Sequence, residues 1–503
     1  MRPEIAYAEL IRRTREQSLL ASCAELLGWD EDTYMPPAGG DHRAAQLALL
    51  AGLQHARETD PALGDLLAAV EGSSLVADPE SAPAVNVREI RRTYDRQTRL
   101  PRHLVEELAG AASLAEHAWA EARRAADFAH FRPWLEKVIR LKQREAESLA
   151  LTADPYDSLL DGYEPGARAD ELVVLFDALR RELVPLVNAL AYAPRRPGPA
   201  CLRGPFPVER QRAFGEAVAA GVGFDFRRGR LDTTTHPFFS PLGPGDCRIT
   251  TRFSEQSFCD GLFAILHEVG HGLYEQGLPA EHAGTPLGEA SSLGLHESQA
   301  RLWENAVGRS RAFWRHFLPA ARAAFPGPLA GVSLDEFHFA VNAVEPTLIR
   351  VGADEVTYNL HILIRFELER ALLSGDLAGR DLPGAWEEAY RHYLGVVPPD
   401  DAAGCLQDGH WAAGMFGYFP TYTLGNVFAA QLMARAREEL GDLDEAFARG
   451  DFGALLGWLR EKVYREGGRY SASRLIERVT GSPPDQRPLV EGLRAKYGQL
   501  YAI

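Results

Sequence analysis

Residues Asp260 to Gly277 read DGLFAILHEVGHGLYEQG, and the rest of the chain is organised around this stretch. Its apolar residues recur every three or four positions, a spacing that predicts one buried amphipathic helix over 260–277. His267 and His271 lie about one helical turn apart, so their imidazoles project from one face and can bind the same metal ion. Glu268 follows the first histidine, where it can reach a water on that ion and act as a general base.

Two glycines, Gly270 and Gly272, fall inside this predicted helix. A glycine in a helix interior costs about 1 kcal/mol relative to alanine, so helix propensity does not explain their presence. We expect another element of the fold, or a substrate, to approach the helix closely at these two positions.

The composition is that of a globular protein with a sizeable core. Of the 503 residues, 46% are hydrophobic and 25% are charged, and the length allows about three domains or one large helical body. No apolar run approaches the roughly 20 residues that span a bilayer. The first residues, MRPEIAYAELIRRTREQ, carry charges where a secretory signal would be apolar, so we expect a cytoplasmic protein with no membrane partner.

Charge and cysteine usage exclude two further classes of partner and site. The net charge of −16, from 54 basic and 70 acidic residues, disfavours nucleic acid as a partner, because phosphate binding needs a basic face. The five cysteines are odd in number and show no C-x-x-C spacing. A disulfide framework or a thiolate zinc site is therefore not expected, which agrees with a reducing compartment.

The pattern along the chain is helical, with one short extended region. Residues 1–193 predict a helical N-terminal portion, and the five prolines between Pro194 and Pro207 separate it from a catalytic portion over 208–503. Within that portion, Thr233 to Phe239 and Cys247 to Phe253 are rich in β-branched and aromatic residues and flank the turn-rich SPLGPGD, which predicts a hairpin over 233–253. An extended substrate could pair with this hairpin. A loop is predicted over Gly404 to Asn426.

A third metal ligand is needed, because two histidines leave a tetrahedral ion short of one protein ligand beside its open position. Residues 288–305 read GEASSLGLHESQARLWEN and offer Glu289, His296, Glu297 and Glu304. We favour Glu297, which lies 26 residues after His271, far enough for a loop and a returning helix. Spacing alone leaves Glu289 and His296 as alternatives.

Six motifs in order resemble family M32 of the metallocarboxypeptidases, the thermostable carboxypeptidase Taq type. They are HPF at 236–238, DCRIT at 246–250, HEVGH at 267–271, HESQ at 296–299, IRVGAD at 349–354 and GYFPTYTLGN at 417–426. The segment GWDEDTYMPP at 28–37 is also similar, so the resemblance covers nearly the whole chain. Ala300 departs from it, since many members have serine there, but this position holds none of the expected ligands.

The resemblance implies a fold and a function. The fold is all-α, mainly helical, with two lobes flanking a deep active-site cleft and a small β-hairpin or sheet beside the metal helix, in a single M32-type domain over 1–503. The function is removal of C-terminal amino acids from peptides with a free C-terminus. The resemblance also implies one Zn²⁺ per subunit, with Co²⁺ as a possible substitute, held by His267, His271 and Glu297. Glu268 would be the general acid/base, and the assembly would be a homodimer.

Candidates for substrate binding follow from the needs of this reaction. A cation must hold the terminal carboxylate, ideally an arginine with two donors. Arg248 and Arg350 are the candidates, although either could instead pair with a nearby acid such as Asp246 or Asp354. His236 is either a donor in the site or a cap of the hairpin.

A further donor must stabilise the oxyanion that develops during peptide hydrolysis. His410, Tyr418 and Tyr422 lie in the stretch from Gln407 to Tyr422, whose glycines and single proline predict a loop. Each of these side chains could instead serve in packing.

Two other functions are compatible with the metal helix. The first is a helical metallo-oligopeptidase that cleaves internally and would accept peptides with a blocked C-terminus. The second is a non-catalytic, zinc-stabilised helical scaffold. Glu268 argues against the scaffold, because a structural metal site needs no general base.

Overall fold

The structure, a computed structural model, describes residues 1–503 apart from the side chain of Pro199. The described residues form twenty α-helices and one three-stranded sheet, so the predicted mainly helical class is confirmed. None of the described helices combines the length and the apolar composition of a bilayer span. The helices are α1 (Pro3–Thr33), α2 (Gly40–Glu58), α3 (Pro61–Val70), α4 (Ala82–Arg99), α5 (Arg102–Ala125), α6 (Phe128–Leu149), α7 (Pro155–Leu160), α8 (Ala169–Ala191), α9 (Val208–Val222), α10 (Phe258–Glu275), α11 (Leu293–Arg301), α12 (Arg311–Ala324), α13 (Leu334–Val341), α14 (Tyr358–Ser374), α15 (Leu382–Leu394), α16 (Pro420–Leu440), α17 (Leu443–Ala448), α18 (Gly453–Lys462), α19 (Ala472–Thr480) and α20 (Arg487–Tyr501).

The sheet differs in its bounds from the predicted hairpin. Its strands are β1 (Gly229–Thr233), β2 (Phe239–Gly243) and β3 (Asp246–Thr251), in the order β1-β3-β2. Strands β2 and β3 pair as an antiparallel hairpin, and β1 pairs with β3 in parallel. Residues 234–238, which we predicted as strand, lie in a loop.

The chain divides into two compact units, each built from three segments. Unit 1 comprises Met1–Thr98, Gly198–Val341 and Leu432–Pro483, and contains the sheet and α10. Unit 2 comprises Arg99–Pro197, Asn342–Gln431 and Pro484–Ile503. These bounds differ from the predicted portions 1–193 and 208–503, which remain predictions, as does the single M32-type domain.

The metal helix α10 is packed tightly because of its two glycines. A Cβ at Gly270 would lie 2.5 Å from the Cα of Ala300 and from the carbonyl oxygen of Gln299, and a Cβ at Gly272 would lie 2.5 Å from the ring of Phe224. The expected close approach is therefore confirmed, and the partner at Gly270 is the backbone of α11. This contact brings Glu297, on α11, beside the two histidines.

Candidate metal centre

Three side chains from two helices of unit 1 converge on one point. His267 and His271 lie on α10 and Glu297 lies on α11, and their ligand atoms all lie within 4.8 Å of one another. The Nε2 atom of each histidine is 3.7 Å from Oε2 of Glu297. Two ligands that are each about 2.0–2.1 Å from a tetrahedral ion lie roughly 3.4 Å apart. The three residues therefore fit a tetrahedral divalent ion with one open position.

The other two candidates for the third ligand lie elsewhere. His296 lies behind His271, with its Nδ1 2.5 Å from the Nδ1 of that histidine and its Nε2 3.0 Å from Oε1 of Glu275. Glu289 is exposed and lines a cavity of about 430 Å³ with residues of α1 to α4. Neither belongs to the three-residue cluster.

A second carboxylate, Glu304, supports the centre; the sequence offers it in the same stretch as Glu297, which we favoured as the ligand. Its Oε2 lies 3.0 Å from Nδ1 of His267. Arg301 donates from Nε to Glu297 at 2.7 Å and from Nη1 to Glu304 at 3.2 Å, and so ties the two carboxylates together. Positions 297, 301 and 304 recur at helical spacing, and this spacing in the sequence indicates that Glu304 lies on the same helix face as Glu297. Leu302–Val307 form a π-helical turn that continues α11.

Burial and neighbouring charges set the protonation of these groups. Burial raises the pKa of Glu268 to about 7, with His267 opposing the rise and Glu297 adding to it. Burial also disfavours ionisation of Glu304, but Arg301 and His267 outweigh it and lower the pKa of that carboxyl. A buried carboxyl with a pKa near neutrality can both accept and release a proton at physiological pH, as a general acid/base requires.

Arg350 lies in unit 2, in a buried cluster around Asp408. Its Nη2 donates to Oδ1 of Asp408 at 2.7 Å and its Nη1 donates to the hydroxyl of Tyr358 at 3.1 Å. Arg365 reaches the other carboxylate oxygen of Asp408 at 2.6 Å. Arg350 thus pairs with an acid 58 positions away. Asp354, the neighbour that we considered, instead accepts from the Thr357 hydroxyl at 2.8 Å.

The three aromatic candidates lie in the same part of unit 2. The hydroxyl of Tyr422 is 3.3 Å from Nε2 of His410, and the ring of Tyr418 lies 5.5 Å from that of His410 and 5.3 Å from that of Tyr422. The predicted loop over 404–426 ends earlier than expected, because Pro420 begins α16 and proline is well suited to a first helical turn. Tyr422 therefore lies on a helix.

Arg248 and His236 lie in unit 1 at the sheet. Arg248 donates to both carboxylate oxygens of Asp246, at 3.0 and 2.9 Å, and its guanidinium lies 4.1 Å from the ring centre of Trp29. This is the structural pairing that we considered as the alternative to substrate binding. His236 is exposed, in the loop before β2.

Comparison with known proteins identifies close relatives over the full length. A family model described as carboxypeptidase Taq (M32) metallopeptidase matches residues 9–497. Thermostable carboxypeptidase 1 of Thermus thermophilus is 53% identical, with 100% of each chain covered. Carboxypeptidase 1 of Bacillus subtilis is 36% identical over 99% of each chain. The crystal structure of an M32 carboxypeptidase from Deinococcus radiodurans R1 superposes with a TM-score of 0.96 at 46% identity, covering 99% of this chain and 100% of that one.

Proposed function

The chain belongs to the carboxypeptidase Taq (M32) family of metallopeptidases, and from that premise we propose that His267, His271 and Glu297 hold its divalent ion while Glu268 is the general acid/base. The protein is a metallocarboxypeptidase, a peptide hydrolase that removes C-terminal amino acids. The observation that carries the proposed site is the approach of both Nε2 atoms to one Glu297 oxygen, at 3.7 Å from each. Two nitrogens and one carboxylate oxygen are a ligand set that suits Zn²⁺, which we propose as the ion, with Co²⁺ as a substitute.

The residues of the metal centre have different roles in proton transfer and in orienting the ligands. A divalent ion in this position would polarise the scissile carbonyl and lower the pKa of a water towards about 7. Glu268 takes the proton of the attacking water and delivers it to the departing nitrogen. Arg301 binds Oε1 of Glu297, so that Oε2 is left for the ion. Glu304 accepts the Nδ1–H of His267, so that Nε2 of this histidine presents its lone pair.

The peptide needs a separate set of contacts, which we propose from unit 2 taken by itself. The buried cluster holds Arg350 and Arg365 against the single carboxylate of Asp408, and a terminal carboxylate would complement the remaining positive charge. We assign this contact to Arg350. His410, Tyr418 and Tyr422 are proposed as donors to the peptide.

Arg248 and His236 are the weaker candidates for peptide binding. Asp246 balances the charge of Arg248 one to one, whereas Arg350 and Arg365 share the single carboxylate of Asp408, and no contact recommends His236. We also propose a cytoplasmic homodimer. The five unpaired thiols support a reducing compartment.

The experiment that tests this site uses one peptide as the free acid and as the amide, with and without a chelator. We expect stepwise trimming of the free acid alone, abolished by the chelator, whereas an internally cleaving oligopeptidase would also cut the amide. Glu268→Gln should retain the ion and lower kcat by about 10²–10⁴-fold, and His271→Ala should lose the ion. Trimming by Glu268→Gln at the wild-type rate would refute the proposed mechanism.

A further inference from the structure

The two histidines of the centre are supported from behind by different groups. His267 places its Nδ1 3.0 Å from a carboxylate, Glu304, which accepts hydrogen bonds and so requires an N–H on that nitrogen. His271 instead places its Nδ1 2.5 Å from the Nδ1 of another imidazole, His296. This second contact needs one N–H and one lone pair, and the contact alone does not say which ring carries the proton.

Glu275 decides the direction of that hydrogen bond. Its Oε1 lies 3.0 Å from Nε2 of His296, and a carboxylate accepts but does not donate. A neutral His296 therefore carries its hydrogen on Nε2 and has a lone pair on Nδ1, which is the form required if Nε2 of His271 binds the ion, because His271 then keeps its own hydrogen on Nδ1. It follows that His271 donates from Nδ1, so its Nε2 keeps the lone pair that points towards Glu297.

The same helix contact that assembles the centre also orients His296. Glu275 lies one turn after His271 on α10, and His296 precedes Glu297 on α11. The ring of His296 lies 5.6 Å from the ring of Phe239 and 5.3 Å from that of Tyr274. With His271 at Nδ1 and the carboxylate of Glu275 at Nε2, the imidazole has one orientation in which both hydrogen bonds form.

We infer that His296 is a positioning residue of the metal centre, which accepts the Nδ1–H of His271 and is itself oriented by Glu275. The inference rests on the proposed function, because the tautomer of His271 matters only if its Nε2 binds the ion. Without an acceptor behind it, His271 can place its hydrogen on Nε2 and lose the lone pair. Removal of such a partner lowers metal affinity by about 10–100-fold.

The test compares His296→Phe with His296→Asn. Phenylalanine fills the space between the neighbouring rings but offers no acceptor, whereas the Oδ1 of asparagine can occupy the place of Nδ1. The zinc affinity of each apoenzyme is measured by competition with a chelator, and the absorption spectrum is recorded after loading with Co²⁺. We expect His296→Phe to bind zinc about 10–100-fold more weakly with a shifted Co²⁺ spectrum, and His296→Asn to stay within roughly threefold of wild type.

Glu275 gives an independent pair of variants at a position that tolerates change, since its side chain is 21% exposed. Glu275→Leu removes the acceptor and should weaken zinc binding by about 3–10-fold, because it acts through His296. Glu275→Gln keeps an oxygen that can accept and should bind zinc as wild type does. This pair tests the inference even if His296→Phe does not fold.

Several outcomes would overturn the inference. Wild-type zinc affinity and Co²⁺ spectrum in folded His296→Phe would do so, as would an equal loss in His296→Phe and His296→Asn, which would point to packing. Wild-type zinc affinity in Glu275→Leu would show that the carboxylate of Glu275 does not orient His296. His271→Ala separates the two levels: if it binds zinc normally, the proposed metal site is wrong, whereas loss of zinc there without any effect of His296→Phe refutes only the positioning role.

Discussion

The metal centre of unit 1 and the arginine cluster of unit 2 bury opposite excesses of charge. In the metal centre, three carboxylates, Glu268, Glu297 and Glu304, are accompanied by two arginines, Arg301 and Arg309. In the metal-binding form, in which the histidines are neutral and all three carboxylates are ionised, one negative charge remains. A buried charge without a partner costs several kcal/mol, and a divalent cation would compensate it.

The arginine cluster has the reverse composition. Arg350 and Arg365 share one carboxylate, that of Asp408, at 2.7 and 2.6 Å. One positive charge remains, and an anion would compensate it. The two regions therefore show the chemistry of a cation and of a carboxylate separately, and these are the two ligands that a metallocarboxypeptidase requires.

The pKa values of His267, in the metal centre, and His410, in the arginine cluster, differ in the same sense. In the metal centre, burial lowers the pKa of His267, but Glu297 and Glu304 outweigh it and the net pKa is raised. In the arginine cluster, burial lowers the pKa of His410 to about 4, Asp408 opposes the change, and Arg350 and Arg365 add to it. His267 and His410 are thus shifted in opposite directions, whereas burial, with the imidazoles of His296 and His267 beside it, lowers the pKa of His271.

The largest effect that the comparison predicts is on Asp408. Asp408→Asn leaves two buried arginines without a carboxylate, and breaking a buried ion pair by removing one partner costs about 3–5 kcal/mol. We expect the free energy of unfolding in urea to fall by that amount. The matched control is Asp335→Asn, which removes the partner of Arg311 in an exposed pair and should change stability by less than about 1 kcal/mol. Equal effects in the two variants would contradict the buried charge imbalance.

The second prediction concerns which arginine binds the terminal carboxylate. Arg350→Lys keeps the charge but loses the fork, and loss of a charge-assisted hydrogen bond costs about 1.5–3 kcal/mol. We expect kcat/KM for free-acid peptides to fall about 10–150-fold, with metal content unchanged. Arg248→Lys is the matched control, because Asp246 balances the charge of that arginine one to one and leaves no excess positive charge for a terminal carboxylate. A larger loss in Arg248→Lys than in Arg350→Lys would reverse the assignment.

The third prediction tests whether close helix packing builds the metal centre. Gly270→Ala would place a Cβ 2.5 Å from the backbone of Ala300 and Gln299, and such overpacking costs about 2 kcal/mol. Because the displaced helix carries Glu297, zinc affinity should fall together with the free energy of unfolding. Gly110→Ala, in α5, meets no atom within 4 Å and should stabilise by about 0.5–1 kcal/mol. Unchanged zinc affinity in Gly270→Ala would show that the close packing of α10 on α11 does not set the position of Glu297.

The features that could be predicted from the sequence are those encoded by local spacing. The metal helix, its close contact at Gly270 and the mainly helical fold follow from periodicity and from a glycine in an unfavourable place. Strand β1, Gly229–Thr233, could not be found in this way, because its sequence GRLDT has one large apolar residue. It is a strand because it pairs with β3. The sequence of a short polar segment does not identify the strand with which it will pair.

Among the site residues, too, local spacing points to some, whereas others are brought together only by the tertiary fold. Glu304 carried a usable signal, since it lies on the face of Glu297 and Arg301 at helical spacing. Asp408 carried none, because its two arginines are 43 and 58 positions away and only the tertiary fold brings them together. For that reason the alternative that we considered for Arg350 was a nearby acid such as Asp354, whereas its carboxylate partner in the structure is Asp408.

The smallest predicted effect follows from the lowered pKa of His410. Its folded pKa of about 4 lies below the unfolded value of about 6.5, so the unfolded chain binds more protons between these values. Stability from the neutral imidazole is therefore present above pH 6.5 and is lost as the pH falls towards 4. Between pH 7 and pH 5.5 the loss should be about 1 kcal/mol.

The measurement compares wild type with His410→Gln, by urea unfolding at pH 7 and pH 5.5 with the ion bound in both proteins. Because the metal centre contributes equally to the two proteins, its own pH dependence cancels in the difference. We expect wild type to lose about 1 kcal/mol more than the variant over this interval. A variant that loses more than wild type would mean that His410 is charged in the folded protein, and the arginine cluster would then not carry the excess positive charge that distinguishes it from the metal centre.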